Sequence, residues 1–195
     1  GIKKLVPSDP DFSVVTLFTI DHTNGLPTDY LQCLFFDREG NLWIGTYGKG
    51  LIQMINERFS LFLGFGTELD PGVYSVCSDR LGQLWVGTKE GLVSFVPGSQ
   101  TGAPQRLDEI PKEKVTALKP DFNGIIWAGT ETGKLFLIDP ETRKVKLHPI
   151  SGKSNYIHSI TYTPTKMFVA TSSGLAISTL ASANVQLNTT SDGLL

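Results

Sequence analysis

The sequence lacks any apolar run near the roughly 18 residues that a membrane-spanning helix requires, so it predicts no membrane contact within this segment. No window has the 3.6-residue apolar period of an amphipathic helix, which argues against a helical fold. Basic residues are few and dispersed: 17 Lys and Arg stand against 19 Asp and Glu, for a net charge of −2. A nucleic acid or an anionic membrane would require a basic surface, so we expect neither as a partner.

Cysteine is also scarce. Cys33 and Cys77 are too few for a disulfide framework. They lie 44 residues apart, two residues off the repeat period described below, so they occupy different positions in their units. We interpret them as two free thiols that pack as small hydrophobic side chains, rather than as a bridge.

Motifs of catalysis and cofactor binding are missing. The sequence has no Gly-x-Ser-x-Gly elbow, no phosphate-binding glycine loop with lysine and no His-Glu-x-x-His. His22, His148 and His158 fall at unrelated repeat positions without the spacing of zinc ligands. We therefore predict no catalytic residue, no metal site and no cofactor in this segment. An enzyme that assembles its site from scattered loops stays open as an alternative.

What the sequence does contain fits a folded domain rich in turns. It is 40% apolar, enough for a buried core, and its 20 Gly and 11 Pro are spread along the chain. It opens Gly1-Ile2-Lys3-Lys4, without an initiator Met or a signal-peptide core. We expect it to be a piece of a longer protein.

Tandem repeats organise the whole sequence. A Trp-x-Gly-Thr motif occurs three times, followed by a degenerate fourth copy, at steps of 42, 42 and 41 residues. The copies are Trp43-Ile44-Gly45-Thr46, Trp85-Val86-Gly87-Thr88, Trp127-Ala128-Gly129-Thr130 and Phe168-Val169-Ala170-Thr171. Asn24-Gly25-Leu26 also returns as Asp192-Gly193-Leu194 after 168 residues, which is four periods. A register kept over this length indicates repeated structural units.

Each unit contains four predicted strands. An apolar first strand leads into an Asp-x-x-Gly turn; a second strand carries the Trp, a third begins at a recurring Gly, and a variable fourth follows. The first strands are apolar on both faces and include one column of small side chains, which favours an inner position near a central axis. These strands are Leu31 to Phe36, Val73 to Ser78, Val115 to Pro120 and Ile157 to Tyr162.

A four-stranded antiparallel unit of about 42 residues is typical of a propeller blade. The sequence therefore predicts an all-β fold, a β-propeller fragment of four complete four-stranded blades plus part of a fifth. The single domain 1–195 divides into a partial blade over 1–18, blades over about 25–64, 67–108, 110–148 and 152–188, and the start of a further blade at 189–195.

The repeated motif residues have structural interpretations. We expect the Trp side chains to fill the space between neighbouring sheets, because a residue that recurs at one strand position in every blade is suited to packing. The motif glycines would allow close approach of the sheets. Asp37, Asp79 and Asp121 each lie in a separate hairpin turn, too dispersed to share a proton or a metal, and we expect them to form those turns.

Candidate ligand-binding residues lie in two sets of loops: those that enter each first strand and those that link the second and third strands. Recognition in a propeller commonly uses this face, and these positions differ from blade to blade. Variable solvated loops have the same appearance, so that alternative stays open. The candidates are Tyr30, Tyr47, Lys89, Glu90, Lys114, Glu131, Asn155 and Tyr156.

The first unit closely resembles the two-component regulator propeller repeat, which runs roughly Gly-Leu-Pro, then Asp-x-x-Gly-x-Leu-Trp-Ile-Gly-Thr, then Gly-Gly-Leu. The corresponding segments are 24–30, 37–46 and 48–51. The second unit matches well from Asp79 to Leu92, the third is looser, and the fourth keeps little beyond Thr171 and Gly174-Leu175. The resemblance covers almost the whole chain.

This resemblance implies a non-catalytic, ligand-sensing propeller in the periplasmic part of an inner-membrane hybrid two-component histidine kinase. It implies an oligosaccharide ligand and signalling through dimers, with any kinase activity located elsewhere in the parent protein. The family motif is structural and assigns no ligand-binding residue. Two alternatives stay open, a scaffold for protein–protein interaction or dimerisation and a propeller lyase.

Such repeats commonly build seven blades, which would require about 294 residues at this period. Gly1-Ile2 matches Gly50-Leu51, so the chain opens at the third strand of a blade. We therefore expect an open fragment whose unpaired strand edges and apolar faces favour self-association.

Overall fold

Five antiparallel sheets make up the described part of the chain. The computed structural model describes residues 1–8, 10, 15–56, 58–62, 72–98, 103–150, 155–179 and, for the backbone alone, 186–188. The strands are β1 (Ile2–Pro7), β2 (Val15–Ile20), β3 (Leu31–Phe36), β4 (Leu42–Thr46), β5 (Leu51–Ile55), β6 (Arg58–Phe62), β7 (Val73–Ser78), β8 (Leu84–Thr88), β9 (Gly91–Phe95), β10 (Gln105–Arg106), β11 (Val115–Pro120), β12 (Ile126–Thr130), β13 (Leu135–Ile138), β14 (Val145–His148), β15 (Ile157–Tyr162), β16 (Lys166–Thr171), β17 (Gly174–Thr179) and β18 (Gln186–Asn188). One 3-10 turn, His22–Asn24, precedes β3.

Four of these sheets are complete four-stranded meanders, and β1 and β2 form the fifth. We call them blade 1 (β3–β6), blade 2 (β7–β10), blade 3 (β11–β14), blade 4 (β15–β18) and the partial blade (β1–β2). The first strands of successive blades lie next to one another, β3 beside β7, β7 beside β11 and β11 beside β15. The predicted fold, four complete propeller blades and part of a fifth, is confirmed, and the four inner strands have the predicted bounds. Asp192-Gly193-Leu194 lies outside the described residues.

The apolar core lies between blades. Trp43 belongs to a buried cluster drawn from blades 1 and 2, Trp85 to one from blades 2 and 3, and Trp127 to one from blades 3 and 4. The first two indoles are fully buried and the third is 6% exposed. Trp43 meets Phe95 of the next blade edge-on, with 5.9 Å between ring centroids. The predicted role of these residues as wedges between sheets is confirmed.

The motif glycines lie where adjacent blades come closest. A Cβ atom on Gly45 would stand 2.9 Å from the carbonyl oxygen of Val73 in the next inner strand, and one on Gly87 would stand 2.5 Å from that of Val115. Backbone atoms of the neighbouring blade cannot move away from such a contact without separating the sheets. Glycine is therefore required at these positions by packing, as predicted.

The turn aspartates bind the indoles, a contact that the sequence analysis did not foresee. In blade 2, Oδ2 of Asp79 accepts the Nε1–H of Trp85 at 3.0 Å, and Oδ1 accepts the backbone N–H groups of Leu81 and Gln83. Asp37 and Asp121 bind Trp43 and Trp127 in the same way. Burial of a Trp leaves an N–H that needs an acceptor, and the turn supplies it.

A second link between blades runs along the turn side. Nη1 of Arg38 donates to the carbonyl oxygen of Arg80 at 2.8 Å, and Nη2 of Arg80 donates to that of Phe122, one blade further on. The Phe122 ring then meets Tyr162 of blade 4 edge-on, with 4.7 Å between centroids. Successive turns are thus tied to one another by side chains at one repeat position.

Two further structural features concern the cysteines and membrane-spanning helices. Both cysteines are free thiols; Cys77 is buried between blades 2 and 3, and burial raises the pKa of its thiol. Within the described ranges, no helix is long and apolar enough to cross a membrane.

We predict that Asp79 and Trp85 are energetically coupled. Asp79→Ala leaves a buried indole N–H without an acceptor, which costs about 1–3 kcal/mol in addition to the lost turn bonds. In a Trp85→Phe background that donor is gone, so Asp79→Ala should cost less, with an interaction energy of about 1–2 kcal/mol. Urea denaturation of the four proteins measures it.

Blade 4 provides the matched control. It has Thr163 where the other turns have Asp and Phe168 in place of Trp, so it has no such pair. The effects of Thr163→Ala and Phe168→Leu should add. Additive effects in blade 2 as well would contradict the coupling.

Candidate ligand-binding site

Each inner strand carries a β-bulge at its second residue. The pairing with the second strand of the blade shifts by one between the first and third residues, in all four blades. A bulge redirects the side chain of the extra residue. The four bulge residues are Gln32, Tyr74, Thr116 and His158, all of them polar.

These bulge residues line an open groove of about 270 Å³ along the inner strands. The groove is also lined by the small side chains at the third position of the inner strands, including Cys33, Ser75 and Ser159. Three apolar side chains at the fourth position complete the lining. None of the described residues lining the groove is a carboxylate. The groove is therefore a mixed polar and apolar surface without negative charge.

At one end of the groove, Lys114 contacts residues from three blades. Its Nζ lies 4.9 Å from the ring centroid of Tyr74 in blade 2 and 5.9 Å from that of Tyr156 in blade 4. Oε2 of Glu131, in blade 3, stands 3.4 Å from the same nitrogen. The Tyr156 ring in turn packs against His158, with 4.8 Å between centroids. We call Tyr74, Lys114, Glu131, Tyr156 and His158 the axial cluster.

Glycine at position 72 provides the room for Tyr74. A Cβ atom at Gly72 would stand 3.0–3.2 Å from atoms of the Tyr74 ring, so this ring folds back over the residue that precedes its strand. The equivalent positions in the other blades are occupied by Tyr30, Lys114 and Tyr156. In blade 2 the residue at this position, Gly72, has no side chain, and the Tyr74 ring occupies the space there instead.

The backbone of Tyr156 is strained. Its φ of 36° lies in the left-handed region, which a bulky residue rarely adopts. The conformation is held from both sides, because its N–H donates to the carbonyl oxygen of Glu131 at 3.2 Å and its own carbonyl oxygen accepts the N–H of Ser172 at 3.1 Å. Strain of this kind is concentrated at functional sites.

The structure brings only some of the predicted candidates together. Lys114, Glu131 and Tyr156 meet in the axial cluster, and Asn155 is tied to the Ser172 N–H through its carbonyl oxygen. The other four lie on the same face of blades 1 and 2. Tyr30 and Tyr47 are exposed there and joined by a backbone hydrogen bond of 2.9 Å, and Lys89 and Glu90 form the turn between β8 and β9.

Sequence reasoning missed Tyr74 and His158, as well as the other bulge residues. The signal was present: a polar residue stands second in each of the four inner strands, at the repeat period. Strict two-residue alternation would direct these side chains between the sheets, so the pattern becomes interpretable only with the bulge.

The histidines have separate environments. His22 pairs with Asp29 near the surface, and Nε2 of His158 lies 2.9 Å from Oγ of Ser172. His148 is buried against the Trp127 ring, and desolvation, followed by the charge of Lys146, lowers its pKa. No three His, Cys, Asp or Glu side chains among the described residues are placed to hold a metal ion.

Residues 25–48 and 67–90 match the family described as two component regulator propeller. Each of these two segments is therefore similar to a two-component regulator propeller repeat. These repeats hold Tyr30, Tyr47 and Tyr74, whereas Lys114, Glu131 and Tyr156 lie beyond the matched segments. No match is found among curated proteins.

Solved structures share the fold. The extracellular domain of a Bacteroides thetaiotaomicron protein described as a hybrid two component system aligns with a TM-score of 0.74 at 19% identity, covering 92% of this chain and 26% of that one. The extracellular domain of a second protein of that organism, described as a one component system, gives 0.69 at 24% identity, covering 85% and 23%. Virginiamycin B lyase from Staphylococcus aureus gives 0.69 at 9% identity, covering 90% and 59%. This propeller chain thus spans about a quarter of the two extracellular domains.

We predict that the strain at Tyr156 reverses the usual order of alanine and glycine. At an ordinary strand position, Gly is less stable than Ala by about 0.5–1 kcal/mol. At a φ of 36°, the Cβ penalty of about 1–2 kcal/mol applies to Ala alone. Tyr156→Gly should therefore be more stable than Tyr156→Ala by about 1 kcal/mol in urea denaturation. The opposite order would show that the backbone is relaxed.

Proposed function

We propose that this chain is the ligand-sensing propeller of the extracytoplasmic region of a two-component sensor histidine kinase, located in the periplasm. It binds an oligosaccharide at the axial cluster and the adjoining groove, and it is non-catalytic. The observation that carries the proposal is the gathering of aromatic and polar side chains from three blades at one end of the groove.

The distribution of tyrosine supports a ligand on this face. Four of the five tyrosines lie at the end of the blades where the inner strands begin, and Tyr162 alone lies on the turn side. A tyrosine offers an apolar ring face and a polar hydroxyl. A sugar ring has the complementary character, because its C–H groups pack on an aromatic face while its hydroxyls form hydrogen bonds. The four are Tyr30, Tyr47, Tyr74 and Tyr156.

The repeats support the placement of the domain. The family match is to a propeller of two-component regulators, and two of the structures that share the fold are extracellular domains. The wide spread of functions on propeller folds means that the role of this chain depends on its site rather than on its fold.

The test is a thermal-shift screen of the chain against neutral and acidic oligosaccharides. A ligand at 100 times its Kd adds about 2.7 kcal/mol to the free energy of unfolding. For a domain of this size that corresponds to an increase in Tm of about 5–10 °C. We expect such an increase with at least one oligosaccharide.

Two variants locate the binding site. Tyr156→Ala removes a ring of the axial cluster and should abolish the increase in Tm. Phe122→Ala removes an exposed ring from the turn side and should leave it intact. The proposal fails if no oligosaccharide stabilises the chain, or if the Tyr156 variant responds as well as the unaltered protein does. Turnover of a saccharide, lost on substitution of His158, would instead favour the lyase alternative.

A second candidate function, a dimerisation scaffold, is favoured by the partial blade. Leu5, Val15 and Leu17 share one face of the β1–β2 sheet by strand alternation, and each is 44–67% exposed. The opposite face carries Ile2 and Ile20 and packs on blade 1. An exposed apolar face of this kind favours association with another copy of the chain.

We predict that the chain associates through this face in a concentration-dependent way. Leu17→Lys places a charge at its centre and should shift the weight-average mass measured by light scattering toward the monomer. Leu147→Lys, at an exposed position of blade 3, is the matched control and should not. A monodisperse monomer across a wide concentration range would exclude this function.

A further inference from the structure

The ammonium of Lys114 lies near two aromatic rings. Its Nζ lies 4.9 and 5.9 Å from the ring centroids of Tyr74 and Tyr156, and the side chain is only 22% exposed. The two rings keep bulk water away from the charge on two sides. Because the local dielectric is lower than in open solvent, this charge acts more strongly on a neighbouring group than a free surface lysine does.

The carboxylate beside Lys114 leaves hydrogen-bond donors of the ammonium group without an acceptor at hydrogen-bonding distance. Oε2 of Glu131 lies 3.4 Å from Nζ, beyond the roughly 2.7–2.9 Å of a charge-assisted hydrogen bond. Oε1 of Glu131 accepts instead from the backbone N–H of Lys114, at 3.2 Å. A lysine ammonium carries three donors, and ring faces accept hydrogen bonds only weakly.

Lys134, in the same blade, forms a hydrogen-bonded ion pair that serves as a comparison. Nζ of Lys134 donates to Oε1 of Glu113 at 2.8 Å, and the Glu113 side chain is 8% exposed. The Lys134 pair has a charge-assisted hydrogen bond of normal length, whereas the Lys114 pair does not. The difference leaves Lys114 as a cation with donors available at the end of the groove.

The groove beside Lys114 is compatible with an acidic ligand. Its described lining has hydroxyl, amide and imidazole groups, from Ser75, Thr116, Gln32 and His158, and no carboxylate; the carboxylate of Glu131 lies beside the Lys114 ammonium. We infer that the ligand is an oligosaccharide bearing a carboxylate or sulfate group, and that Lys114 binds this anion. The inference rests on the proposed function, and it adds the charge of the ligand.

The test compares acidic oligosaccharides with their uncharged counterparts on the 195-residue chain by isothermal titration calorimetry. The carboxylate arm uses galacturonate oligomers and their methyl esters, in which each carboxylate is replaced by an uncharged ester with one added methyl group. The sulfate arm uses sulfated galactose oligomers and the unsulfated oligomers. We expect the charged member of at least one pair to bind ten times more tightly or better. Its affinity should fall as salt is raised, and that of the neutral member should not.

Lys114→Met keeps the apolar stem between the two rings and removes the charge. It should reduce the affinity for the charged oligomer about tenfold or more, and that for the neutral oligomer by a much smaller factor. Lys112→Met, two residues earlier at an exposed position, is the matched control and should change neither. Equal Tm values for both variants would show that the fold is retained.

The outcomes separate the two claims. Neutral oligomers that bind as tightly as charged ones, or a Lys112 variant that loses as much affinity as the Lys114 variant, would overturn the inference and leave the proposed function standing. If Lys114→Met does not fold, salt-independent binding of the charged oligomer by the unaltered chain overturns it equally. If no oligosaccharide of either kind binds, the proposed function itself is wrong.

Discussion

The fold depends on the close approach of each second strand to the next inner strand, which only a residue without a side chain permits. Gly45, Gly87 and Gly129 occupy this contact in three successive blades. Nearby, Oγ of Ser75 donates to the carbonyl oxygen of Val115, so the contact also joins the blades by a hydrogen bond. Sheets that nearly touch near the axis and separate further out form a fan.

Because the sheets diverge with distance from the axis, the space between them needs larger side chains further out. The indoles fill that space, and the turn aspartates satisfy the one polar group that each indole buries. Blade 4 differs at all three places, with Ala170, Phe168 and Thr163. The three positions vary together, as expected if close approach, wedge and acceptor form one packing unit.

Much of this architecture is predictable from the sequence, because the inner strands and the turn residues that follow them recur at a fixed period. The roles of the indoles and glycines follow from their recurrence. The axial cluster is harder to predict from the sequence. Lys114, Glu131 and Tyr156 were predicted from their loop positions, but that they meet depends on contacts between blades. Tyr74 and His158 were missed because a bulge, which breaks the two-residue alternation, directs them to the groove.

The arginines of the turn side have a mechanical consequence. Arg38 and Arg80 each reach across to the following turn, at the opposite end of the blades from the axial cluster. Any tilt of one blade against the next would therefore pivot about these anchored turns and have its largest amplitude at the far end. A ligand that draws Tyr74 and Tyr156 toward each other would act there with the greatest leverage on the angle between blades.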